Sequence, residues 1–140
     1  MPSTERDPLS VLARYRRAML TKSADDLADL YAPDGVHEFP FAFPGVPGRL
    51  AGREAVRETY RALWGATPVT VRAVHEVAVH TTGDPAVIVA EQTAVTAGAD
   101  GSERHVPGLL VLRVGDDGLL THVRDYMDTG AVQRARATAG

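Results

Sequence analysis

The stretch DDLADLYAPDGVHEFPF, residues 25–41, changes periodicity part-way along. Leu27, Leu30 and Tyr31 fall at helical spacing, and Ser23 with Asp26 three residues later resembles a capping box. The spacing therefore predicts a short helix that stops at Pro33-Asp34-Gly35. Beyond it the apolar residues alternate. In an extended chain His37, Phe39, Phe41 and Phe43 share one face and Glu38 takes the other, so the segment reads as a brief strand presenting an apolar wall with one polar group.

Working outward, Asp7-Pro8 reads as an N-cap followed by proline at the first helical position, with Leu12, Tyr15 and Met19 recurring behind it. Gly52 opens a third helix carrying Val56, Tyr60, Leu63 and Trp64 on one side. After Gly65 the pattern becomes period two over 69–80, 86–97, 103–114 and 119–127, with turn-forming clusters at Thr82-Gly83-Asp84-Pro85, Gly98-Ala99-Asp100-Gly101 and Gly115-Asp116-Asp117-Gly118. Three hairpins follow. Helices first and a long antiparallel meander last predict an α+β fold, a curved, mostly antiparallel sheet wrapped by three N-terminal helices around a pocket.

The 140 residues suit a single domain spanning 1–140, with 1–6 and 130–140 expected as flexible tails. Hydrophobic content of 44%, charged content of 24% and a net charge of −3 are ordinary for a soluble protein and lack the basic footprint of nucleic-acid or membrane-surface binding. The start MPSTERDP has no apolar signal core, and no apolar run approaches a membrane span, so a cytoplasmic location is expected. There are no cysteines, which removes disulfides and thiolate chemistry. The histidines are scattered without ligand spacing, and no phosphate loop or nucleophile elbow is present, so neither a metal nor a cofactor is expected.

In the last strand Leu119, Thr121, Val123, Asp125 and Met127 share a face, which sets Asp125 on a mainly apolar side. A carboxylate there needs a nearby donor or a shifted pKa, both typical of a general acid or base; capping a strand or pairing with an arginine is the alternative. His37 is its natural partner, unless it is simply a satisfied core histidine. His75 also falls on an apolar face, with Val71, Ala73, Val77 and Val79, while His80, His105 and His122 look like surface positions or strand ends. Tyr15 and Tyr31 can each aim a hydroxyl into a cavity.

Three stretches, DDLADLYAPDGVHEFPF, GREAVRETYRAL and GLLTHVRDYMD, in that order, resemble the SnoaL-like branch of the nuclear transport factor 2-like superfamily over nearly the whole chain. That branch includes ketosteroid isomerases, polyketide cyclases, limonene epoxide hydrolases and phenazine-biosynthesis proteins. The resemblance implies a cone-shaped fold with a deep pocket and a homodimer paired through the sheet. The RDYMD ending looks like the hydrolases' final-strand motif, whose aspartate orients water, and points to Asp125.

The departures matter as much. Phe39 stands where the ketosteroid isomerases carry their base aspartate, and Leu110 or a neighbour where they carry a second one; Tyr15 matches their helix-one tyrosine. Gln92 and Ala94 stand where the epoxide hydrolases have arginine and aspartate, and His37 and Phe39 replace their tyrosine and asparagine. The resemblance thus implies a greasier pocket whose polar groups are His37, Gln92 and Asp125, with Tyr15, Tyr31, Phe39, Phe41, Trp64, Gln92 and Met127 as ligand contacts. Cofactor-independent acid-base chemistry on a hydrophobic, polyketide-like or terpenoid molecule is the expected function. A non-catalytic binding or dimerisation module of the same fold is the alternative.

Overall fold

The computed structural model describes residues 6–41 and 44–139. Helix α1, Pro8–Thr21, starts where the Asp7 carboxylate accepts the Ser10 N–H at 2.7 Å and buries Val11, Leu12, Tyr15 and Ala18. It stops at Lys22, whose left-handed backbone (φ 51°) returns its N–H to the carbonyls of Ala18 and Met19. Ser23 caps α2, Ala24–Ala28, by accepting the Asp26 N–H at 3.1 Å.

The chain turns extended earlier than the helical spacing predicts. Strand β1 is Tyr31–Glu38, so Pro33-Asp34-Gly35 lies inside a strand and does not end a helix. The reason is tertiary: β1 runs parallel to the last strand, β6 (Leu120–Met127), with Tyr31 opposite Leu120 and Val36 opposite His122. Five steps on β1 answer two on β6, and the surplus is a bulge. Proline has no N–H to lose there, and glycine is required, because a Cβ on Gly35 would meet the Leu120 carbonyl oxygen at 2.6 Å. Tyr31 and His37, on either side of the bulge, are both fully buried.

Next come β2 (Arg49–Ala51), α3 (Arg53–Gly65), β3 (Thr70–Thr81), β4 (Val87–Ala97), β5 (Glu103–Val114), then β6 and a fourth helix, α4 (Thr129–Ala139). The six strands form one curved, unclosed sheet in the order β2-β1-β6-β5-β4-β3, in which the β1/β6 pair is parallel and the other pairs are antiparallel. The three expected hairpins join β3 to β6, and β5 has the bounds the sequence predicts. The core lies between α1–α3 and the sheet, around Val11, Leu27, Val56, Leu112 and Val123.

Four expectations are corrected. The polar and Ala/Arg-rich tail forms α4, anchored by buried Ala131 and Ala135 one turn apart. A bulge where β5 meets β6 sets Leu120, not Leu119, inward and leaves Thr121 exposed, after which Val123 and Asp125 keep the expected phase. Shifts in the β3/β4 register turn His75 to solvent, and Val77 is 64% exposed. The alternating phenylalanines do not form one stripe: β1 ends at Glu38, Phe39 packs inward, Phe41 is 58% exposed, and Phe43 lies outside the described residues.

Candidate active site

The concave face of the sheet and the helices enclose a cavity of about 190 Å³ that is partly open to solvent. An apolar cavity of about 150 Å³ already binds benzene, so this one suits a small cyclic molecule. Its walls are largely apolar, with Leu27, Phe39, Trp64, Leu110 and Met127 among them, and α4 supplies Val132 and Ala135. Polar groups reach it from Tyr15, Tyr60, Gln92 and Asp125. Asp125 is the one acid among the described lining residues.

Asp125 sits on β6 opposite Leu110 of β5, with its side chain 13% exposed. Its Oδ2 lies 3.4 Å from His37 Nε2 and accepts the Tyr60 hydroxyl at 3.4 Å, while Tyr60 Oη is 3.2 Å from the same His37 nitrogen. On the far side of the imidazole, Tyr31 Oη approaches Nδ1 at 2.6 Å. A carboxylate can only accept, so a neutral imidazole orders this chain in one way: Nε2–H towards Asp125, and the Tyr31 O–H donating to Nδ1. His37 is thus held between a phenol and the carboxylate. The His37 ring also packs 4.6 Å, centroid to centroid, from Phe39 and edge-on at 5.5 Å to Tyr60.

Burial pushes the phenols of Tyr15, Tyr31 and Tyr60 well above their ordinary range, and the Asp125 charge adds to this in each. All three stay neutral donors at physiological pH. Tyr15 lies close enough to the same cluster to feel both Tyr60 and Asp125. At the other end of the cavity, Arg16 Nε donates to Gln92 Oε1 at 2.9 Å and Arg16 Nη1 to Glu76 at 2.9 Å.

Of the residues picked from sequence, Asp125, Tyr15, Phe39, Trp64, Gln92 and Met127 line the cavity. His37 and Tyr31 lie directly behind its wall and reach it through Asp125 and Tyr60. Phe41 does not line it: with the strand ended, its ring packs edge-on against Tyr126 at 5.5 Å, over a shallow outer groove. Tyr60 was not singled out by the sequence, yet it touches both His37 and Asp125. Its signal was a hydroxyl on the apolar face of α3, which has to find a partner once buried. Among the described residues no group of three His, Asp or Glu side chains is placed to hold a metal ion.

The SnoaL-like domain model matches residues 12–123, most of the chain. The protein belongs to the SnoaL-like family. Solved structures share its fold. A proposed isomerase from Bacillus subtilis superposes with a TM-score of 0.82 at 22% identity, covering 96% of this chain and 95% of that one. A Δ5-3-ketosteroid isomerase from a Mycobacterium species gives 0.68 at 23% identity, over 88% and 94% of the two chains. An LEH-like epoxide hydrolase from M. tuberculosis gives 0.67 at 19% identity, over 99% and 94%. No curated protein matches the chain in sequence. This SnoaL-like chain shares the relatives' α+β fold, with a curved, unclosed sheet and N-terminal helices.

Proposed function

We propose that this SnoaL-like protein is a small-molecule enzyme that moves a proton on a hydrophobic substrate without a cofactor, in a cyclisation, isomerisation, dehydration or hydration. The observation that carries the reading is the position of Asp125, a single carboxylate on an apolar cavity wall with an imidazole and a phenol at its Oδ2. Asp125 exchanges the proton with the substrate, and the apolar walls hold the hydrophobic skeleton against it. His37 acts through Asp125, fixing the carboxylate and balancing its charge as the proton moves. Tyr60 holds the same oxygen. The homodimer implied by the family, and a cytoplasmic location, belong to the same proposal.

A second reading is a non-catalytic binding module, which the mostly apolar wall favours. A thermal-shift screen of bicyclic and polycyclic ketones, epoxides and hydrocarbons, with turnover followed by NMR, separates the two. For an enzyme, wild type and Asp125→Asn both bind and only wild type converts the ligand. Equal binding with no conversion in either supports the module, and no stabilising compound at all contradicts both.

A further inference from the structure

We infer that Gln92 is an oriented hydrogen-bond donor that selects ligands bearing an acceptor oxygen, and that Arg16 is the positioning residue that fixes its direction. This rests on reading the cavity as a ligand site.

Arginine has donors and no acceptor, so the Gln92 atom 2.9 Å from Arg16 Nε has to be the amide oxygen. The amide nitrogen then points the other way. Gln92 is 8% exposed and lines the cavity, and none of the described residues accepts from its Nε2. Arg16 cannot swing aside freely, because its side chain is only 15% exposed and Nη1 is tied to Glu76. Register places the parts together: Glu76 of β3 and Gly108 of β5 both stand opposite Gln92, on the same face of the sheet.

Two features turn an oriented amide into a recognition element. The residue beside it on β5 is Gly108, which also lines the cavity and brings no polar side chain to the amide. Behind the wall donors are in surplus too, since Arg16, which does not itself line the cavity, keeps Nη2 buried with no partner among the described residues. A wall whose amide donor is unmatched favours a guest that brings an acceptor. Asp125 stands further along the same face of the sheet, two strands and two residues away, or about 12 Å between α-carbons at ordinary strand spacing. The preferred ligand is therefore a compact apolar skeleton with a carbonyl or ether oxygen at the Gln92 end and the reacting C–H or O–H group at the Asp125 end.

The test compares 2-tetralone with tetralin, the same skeleton without the oxygen, by dissociation constants from NMR titration of wild type, Gln92→Leu and Arg16→Met. The readout is the ketone-to-hydrocarbon ratio in each protein, which cancels general changes in packing. One neutral hydrogen bond corresponds to about a three- to tenfold change in that ratio on going to Gln92→Leu, with Arg16→Met moving the same way. In wild type the Gln92 side-chain NH₂ signals shift with 2-tetralone and not with tetralin. Gln92→Met replaces Gln92→Leu if the latter does not fold. An unchanged ratio in the Gln92 variant overturns the donor, and an unchanged ratio in Arg16→Met overturns the positioning role. If neither probe binds wild type, the ligand-site reading fails and the inference with it; equal ratios with good binding remove the inference alone.

Discussion

His37 Nε2 and Asp125 Oδ2 face each other at 3.4 Å across the parallel pairing of β1 and β6, near the end of both strands. The register sets His37 opposite Val123, so Asp125, two residues further on and on the same face, comes within reach of the ring. The imidazole cannot turn away, because Tyr31 holds its other nitrogen at 2.6 Å. The carboxylate therefore meets the cavity with its back already supported, the arrangement a proton-transfer group needs if little is to reorganise during reaction.

His37→Phe removes both nitrogens while keeping a ring of similar bulk. Tyr31 then keeps a buried O–H with one partner fewer, at a cost of about 1–3 kcal/mol. The loss should appear as a lower urea midpoint with an unchanged slope. A midpoint equal to that of wild type would mean that the Tyr31–His37 contact contributes nothing to the fold.

Gly35→Ala tests the bulge that gathers these residues. Its Cβ would lie 2.6 Å from the Leu120 carbonyl oxygen, a backbone atom that cannot rotate out of the way. Destabilisation of about 1–3 kcal/mol is expected, as for overpacking elsewhere. Gly65→Ala is the control, since nothing lies within 4 Å of its built Cβ. Equal stability of the two variants would contradict the bulge as described.

The buried phenols predict a particular alkaline behaviour. The folded-state pKa values of Tyr15, Tyr31 and Tyr60 are raised above the unfolded value, so their contribution to stability is complete below about pH 10 and is lost as the pH climbs from there. Phenolate absorbance should reach fewer than the chain's four tyrosines while the fold persists, with the remainder appearing together with unfolding. Complete ionisation near pH 10 with circular dichroism unchanged would show that the three phenols are not buried in this way.

These features differ in how much of them is written locally. The Asp7 and Ser23 caps and the three hairpin turns rest on a few neighbouring residues, and their positions could be read from the chain alone. Asp125 was placed on the inner face by strand alternation, and Gln92 by the family resemblance; both line the cavity. Pro33-Asp34-Gly35 shows the opposite case: the same residues that end a helix also make a bulge, and only the partner strand decides which. The tail was unreadable because α4 is held by two alanines with no strong apolar stripe. Tyr60 escaped notice because its partners come from β1 and β6, distant in sequence from α3.

Asp125 is the group proposed to exchange protons with a molecule in the cavity. The most direct measurement is the rate at which the acidic α-protons of 2-tetralone exchange with deuterium in D₂O, followed by NMR with wild type and Asp125→Asn at equal occupancy of the cavity. Wild type should accelerate exchange over buffer, and Asp125→Asn should lose about 10²–10⁴-fold of the rate while binding the ketone as before. A loss of less than about tenfold, with binding intact, would contradict the assignment of Asp125 and leave the protein as a binding module.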